Sequence, residues 1–268
     1  MPVLVVLLAS LLAVVLSMGA AAFRAHQLGK VAVVDVAWGL GFVAVAVVAA
    51  LVGLGADDAD ARRWLVLAMV AVWGGRLAWH VRSRAIGDHG GKEDPRYTDM
   101  LGGTLAEVGM GTAVRRVFAV QGVAQWFIAL PVAVGAVLAT DYPVVVVLGV
   151  LVWLLGMFFE TVGDRQLAAY KAIPKSEKPI VMETGLWAWT RHPNYFGDAC
   201  VWWGLWLTAG LAGGWVAGLA TVACPVVMTL FIRNVTGAEL LEKTMMQRPG
   251  YPEYAERVPM FFPRPPRR

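Results

Sequence analysis

Charge is scarce in this chain: Asp, Glu, Lys and Arg make up only 16% of its 268 residues, 58% are hydrophobic, and mean hydropathy is +0.62. A soluble domain carries about a quarter of its residues as charge, so the balance excludes that class and predicts an all-α polytopic membrane protein. Cysteine is nearly absent. Cys200 and Cys224 lie in apolar stretches, where a free thiol acts as a small hydrophobe, and neither belongs to a Cys-x-x-Cys or Cys/His cluster, so neither a disulfide framework nor a metal centre is expected. Also missing are a G-x-G-x-x-G turn, a Walker loop, H-E-x-x-H and G-x-S-x-G. Any nucleotide must therefore be held by helices and their loops. No internal repeat and no basic stripe with interleaved aromatics occurs, so the net charge of +4 reads as loop charge and no nucleic-acid partner is expected.

What the chain does have is long apolar runs. They predict about seven spans, near residues 2–22, 31–54, 64–81, 117–139, 143–162, 197–213 and 214–232, each close to the length a helix needs to cross the hydrocarbon core. The first lacks a basic region before it and is read as a retained helix, not a cleaved signal. The last two, joined at Gly213-Gly214, should form an antiparallel hairpin. Twelve Trp and six Tyr fit helix ends seated among headgroups. One membrane domain over residues 1–268 is expected.

Lys and Arg near short loops are retained on the cytoplasmic side. Segments 23–30, 82–116, 163–196 and 233–268 carry two, six, five and seven of them, whereas 55–63 carries two beside three Asp. The N-terminus is thus expected outside and the C-terminus in the cytoplasm of a cell whose inner membrane holds the protein. The turn-rich segment 87–100, with both charge signs, reads as a solvated connector.

Polar residues against apolar spans are expensive and mark candidate sites. The richest set is Arg191, His192, Asn194, Tyr195 and Asp198, offering cationic donors, an imidazole, an amide and a phenol. Pro193 restricts His192 to extended backbone and so predicts a turn before the next helix. Asp35 interrupts the second span, with Trp38 following it. Arg76 and His80 share a face of the third span. Asp35 could pair with Arg76 as a structural ion pair, or polarise a substrate oxygen. Glu160 and Asp164 share a face at the end of the fifth span, with Arg165 and Lys171 beyond, and Arg233, Asn234, Glu239 and Glu242 follow the last span.

Thr190-Arg-His-Pro-Asn-Tyr-Phe-Gly-Asp198, Trp202-Trp-Gly204, Leu240-Leu-Glu-Lys243, Arg248-Pro-Gly-Tyr-Pro-Glu-Tyr254 and Phe262-Pro263 together resemble the DUF1295 membrane proteins, which are related to the C-terminal domain of steroid 5-alpha-reductases. Val34-Asp-Val-Ala-Trp-Gly-Leu-Gly-Phe42 and Glu93-Asp-Pro-Arg-Tyr97 look like the same group. The resemblance implies a reductase that takes NADPH from the cytosol and a lipophilic enone from the bilayer, with no obligate protein partner. It assigns residues 163–268 to a cofactor-binding half. Glu160, Asp164, Lys171, Arg191, His192, Asn194, Tyr195, Asp198, Arg233, Glu239 and Glu242 would face the cofactor. Asp35 and Tyr195 would be the catalytic groups, with Trp38, Trp73 and Arg76 beside Asp35 toward the substrate.

Two departures stand out. Asp198 occupies a position where these proteins usually have Glu, one methylene longer. The steroid enzymes activate the ketone with a Glu and a Tyr; Asp35 is the nearest acid here, and Trp73 stands at the third-span position that would supply the Tyr. The C-terminal layout is also similar to that of isoprenylcysteine carboxyl and phospholipid methyltransferases, which bind S-adenosylmethionine through an Arg-His-Pro motif and paired glutamates. A lipid-binding protein without catalysis is the third reading.

Overall fold

In bilayer hydrocarbon every backbone polar group must be satisfied within the protein, which leaves helices as the economical solution for runs this apolar. The structure, a computed structural model, describes residues 1–56, 60–88, 93–235 and 237–266. Among them it is helical with no strand. The helices are α1 (Pro2–Leu28), α2 (Val33–Val52), α3 (Arg62–Asp88), α4 (Pro95–Leu101), the single turns α5 (Leu105–Val108) and α6 (Met110–Ala113), α7 (Ala119–Gly135), α8 (Pro143–Ala172), α9 (Pro193–Leu205), α10 (Trp215–Thr221), α11 (Ala223–Leu230), α12 (Ala238–Met245) and α13 (Tyr251–Arg257). Of the polar segments at 87–100 and 55–63, His89, Gly90, Gly91, Lys92, Asp57 and Asp58 lie outside the described residues.

Among the described residues, six helical stretches are long and apolar enough to cross a membrane: Pro2–Leu28, Val33–Gly55, Arg62–Ala85, Met110–Gly135, Pro143–Ala172 and Trp215–Met245. The expected span at 197–213 is not one regular helix. It runs as α9, then a π-turn at Trp206–Gly210 and a 3-10 turn at Leu211–Gly213. Two compact units emerge from the contacts, Met1–Pro143 with Thr208–Cys224, and Val144–Leu207 with Pro225–Arg268.

In the first unit α2 and α3 touch backbone to backbone. A Cβ on Gly39 would lie 2.5 Å from the Gly74 carbonyl oxygen, and one on Gly74 would lie 2.6 Å from that of Gly39. Small residues serve this purpose where no water drives helices together. Arg62, buried at the start of α3, closes the far end of the same unit. Its Nη1 donates to the carbonyls of Thr208 (3.0 Å) and Ala209 (2.8 Å), and its Nη2 to those of Gly135 (3.2 Å), Leu138 (3.0 Å) and Ala139 (3.0 Å). One guanidinium thus takes up carbonyls that the end of α7 and the π-turn leave without helical partners.

In the second unit the buried face of α8 is Gly149, Trp153, Gly156, Glu160 and Gly163, a four–three spacing that forms a coiled-coil seam. Against it lie Gly197 and Gly204 of α9. A Cβ on Gly156 would meet the Gly197 carbonyl oxygen at 2.5 Å, and one on Gly204 would meet the Gly149 carbonyl oxygen at 2.7 Å. With Pro193 packed on Gly163 at the other end, α9 runs antiparallel along α8.

Candidate functional site

The first unit gathers polar groups at the head of α2. Glu93 acts as a remote N-cap: its carboxylate accepts from the backbone N–H of Val31 (2.5 Å) and Ala32 (3.0 Å), donors that a helix start leaves unsatisfied. Asp94 caps α4 by accepting from Arg96 N (2.9 Å), and it also holds the Arg96 side chain, with Nη2 at 2.8 Å. From this braced turn Arg96 Nη2 reaches Asp35 Oδ2 at 3.1 Å, and the Tyr97 hydroxyl donates to Asp35 Oδ1. Residues 93–97 are therefore a folded strap on α2, not the solvated connector that their charge suggested.

For Asp35, in the first turn of α2, the sequence left open an ion pair with Arg76 or a role on substrate oxygen; the structure gives it an ion pair with Arg96. Helical spacing put Arg76 on a plausible face but could not foresee a strap arriving from beyond α3. Burial, reinforced by the Asp35 carboxylate, pushes the Tyr97 phenol well above the ordinary phenol range. It stays a neutral proton donor. Gln121 Nε2 approaches the Tyr97 oxygen at 3.4 Å, and one turn further along α7 the fully buried Gln125 donates to Trp38 O at 2.7 Å. Trp38 meets Phe42 edge to face at 5.3 Å, and Phe42 meets the fully buried Trp73 at 5.7 Å. Acid and phenol thus stand at the edge of an aromatic wall. Arg76 is half-buried on α3.

The second unit holds the other candidates, in two groups. At the α8–α9 crossing Asn194 Nδ2 donates to Asp164 Oδ1 at 3.1 Å, and Asn194 Oδ1 accepts from Tyr195 N at 3.1 Å. Glu160 is buried on the seam beside Gly197, and Asp198 is half-buried one residue on. Pro193 is the first residue of α9, as the expected break before that helix requires, but His192, with φ −136° and ψ 64°, is neither helical nor extended, so the extended backbone expected of it is not found.

The other group is a hub on Glu242 of α12. Its Oε1 accepts from Arg191 Nε (3.0 Å), His192 Nε2 (2.8 Å) and the Tyr251 hydroxyl (2.8 Å). A carboxylate offers only acceptors, so His192 carries a proton on Nε2. Arg191 Nη1 also donates to Ala255 O and Val258 O, both at 2.8 Å, and Thr190 Oγ1 to Met260 O and Phe261 O, both at 3.0 Å. The Tyr254 hydroxyl donates to Trp187 O at 2.6 Å. Burial, with Glu242 alongside, raises the Tyr251 phenol above its usual range, so it remains a donor. Arg-His-Pro is therefore tied to the C-terminal segment, and much of the hydrogen-bonding capacity of Arg191 is spent there.

The remaining candidates are dispersed. Lys171 is exposed at the end of α8 and Glu239 accepts from Asn234 at 3.0 Å. Tyr195 stacks on His192 with ring centroids 5.4 Å apart. Arg233, in the π-turn Phe231–Val235, has its Nε buried with no hydrogen-bond partner among the described residues. Sequence reasoning missed the parts played by Glu93, Arg96, Tyr97, Gln121 and Tyr251. Three of these stood in the strap motif, whose acids and cation were the available signal.

No curated protein and no solved structure matches the chain. A family model described as a protein of unknown function matches residues 23–258, which is most of the chain, and the protein belongs to that family, DUF1295.

Proposed function

We propose that the protein is a membrane-embedded, NADPH-dependent reductase of a C=C bond conjugated to a carbonyl in a steroid-like or isoprenoid lipid. The observation that carries the reading is the Tyr97–Asp35 hydrogen bond at the head of α2, an acid and a phenol beside Trp38, of the kind the resemblance to steroid 5-alpha-reductases implies. Turned from Asp35 toward the substrate, the single O–H of a neutral phenol would donate to a carbonyl oxygen as negative charge develops on it. In this reading Tyr97 is the catalytic phenol, braced by Asp35 and Gln121, and Tyr195 belongs with the cofactor groups.

The second unit contains groups that fit a dinucleotide. The buried, unpartnered Nε of Arg233 would take a phosphate, a role for which its rigid fork is well shaped. Asn194 and Asp164 would hold the amide or a ribose, with Glu160, Asp198, Lys171 and Glu239 in support. NADPH, when bound, would supply the hydride for the β-carbon. Arg191, His192 and Glu242 would support the walls of the cofactor site through the C-terminal segment.

A second reading has one observation behind it. Arg191, His192 and Glu242 come together in one hydrogen-bonded hub, and an Arg-His-Pro motif with a glutamate is what the resemblance to S-adenosylmethionine-dependent methyltransferases implies. Thermal unfolding of the detergent-solubilised protein separates the two. NADPH should raise the midpoint and S-adenosylmethionine should leave it unchanged; the reverse pattern would sink the reductase reading.

A further inference from the structure

The first unit carries a groove that the reductase reading does not use. It lies at the end of the unit away from Asp35, with a volume of about 520 Å³, within the roughly 300–1,000 Å³ usual for small-molecule sites. Its walls are apolar: Leu7 from α1, Leu130 and Val134 from α7, and Val216 and Ala220 from α10. Its mouth is polar. There Asp141 and Trp215 flank the Gly213-Gly214 turn, and Trp215 is largely exposed, as befits an indole at headgroup level.

Asp141 is held at the mouth by its backbone. Its N–H and that of Tyr142 both donate to Ala212 O, at 2.9 and 3.2 Å, while Arg62 holds the two preceding carbonyls at 138 and 139. Gly214, with φ +116°, lets the carboxylate lie close, since a Cβ there would stand 2.8 Å from Asp141 Oδ2. The carboxylate itself is exposed and receives no hydrogen bond from the described residues. The nearby Arg62, whose charge interacts with Asp141, is buried with its guanidinium donating to carbonyls, so the exposed charged group at the mouth is the Asp141 carboxylate.

We infer that this groove binds one acyl chain of a phospholipid whose headgroup is a primary amine, with the ammonium on Asp141. An ammonium offers three N–H donors to a carboxylate. A quaternary choline offers none, and a glycerol headgroup leaves its phosphate charge facing the acid.

Native mass spectrometry of delipidated protein, titrated with phosphatidylethanolamine, phosphatidylcholine or phosphatidylglycerol of identical chains, tests the assignment. Phosphatidylethanolamine should bind about threefold to fivefold more tightly than the other two, the size of an exposed ion pair. Asp141→Asn should abolish the preference, and Asp141→Lys should turn it toward phosphatidylglycerol. Ala220→Phe, on an exposed position in the groove, should lower retention of all three lipids while leaving the unfolding midpoint within a few degrees. Equal retention of the three lipids, or a preference that survives Asp141→Asn, would overturn the inference whatever becomes of the reductase reading.

Discussion

Tyr97 is buried on its ring, and its hydroxyl donates to Asp35 and accepts a long bond from Gln121, so Tyr97→Phe removes these two hydrogen bonds and little packing. Such a loss costs about 1 kcal/mol of stability. If the phenol meets a developing oxyanion, turnover should fall by about 10²-fold, in line with a single donor of this kind, while the NADPH-induced thermal shift persists. Unchanged turnover would remove Tyr97 from the chemistry. Arg233→Met asks the complementary question of the cofactor: NADPH affinity measured by titration should drop about tenfold to a hundredfold, the worth of a charge-assisted hydrogen bond, with the midpoint of the free protein unmoved. At this scale the sequence was half legible. Asp35 announced itself as an acid in an apolar span, and Asn194 with Asp164 were named as separate candidates. Their partners were hidden, because Tyr97 reaches Asp35 across 62 positions and no local spacing encodes that contact.

Glycine spacing organises the elements. Gly149, Gly156 and Gly163 on α8, and Gly197 and Gly204 on α9, recur at seven-residue intervals, so the seam was readable from the sequence once α8 was known to need a partner. Gly197→Ala would put a Cβ 2.6 Å from both Glu160 N and Gly156 O, and two backbones cannot yield as a side chain can. A loss of about 1–3 kcal/mol is expected, read as a lowered unfolding midpoint, together with weaker NADPH binding as Asp164 and Asn194 separate. Gly75→Ala is the control: nothing lies within 4 Å of its Cβ, and alanine at this helical site should stabilise by up to about 1 kcal/mol. The break after α9 was not legible. Its π-turn leaves carbonyls that Arg62 satisfies from the start of another helix, and hydropathy registers neither the turn nor its partner. Arg62→Met should therefore be costly, about 3–5 kcal/mol in the same unfolding measurement, as for removal of one member of a buried charged network.

For the whole molecule the open question is parity. Six stretches of the described residues are each long and apolar enough to cross, and six crossings alone would put both termini on one side. The answer turns on the 21 residues from Pro193 to Gly213. They begin beside Gly163 near the C-terminal end of α8 and pass Gly156 and Gly149 toward its N-terminal end. At about 1.5 Å per residue this path is roughly 30 Å long, the thickness of the hydrocarbon core. Charge argues the same way. Without a crossing here, segments 163–196 and 233–268, with five and seven Lys and Arg, would fall on opposite sides of the membrane, against the retention of such residues in the cytoplasm. We therefore expect seven crossings, an outside N-terminus and a cytoplasmic C-terminus. Alkaline phosphatase fused after Thr140 should be active and the same enzyme fused at the C-terminus inactive, whereas green fluorescent protein at the C-terminus should fluoresce. An active phosphatase at the C-terminus would mean that α9 and its two turns return without crossing, and the seven-span reading would fall with it.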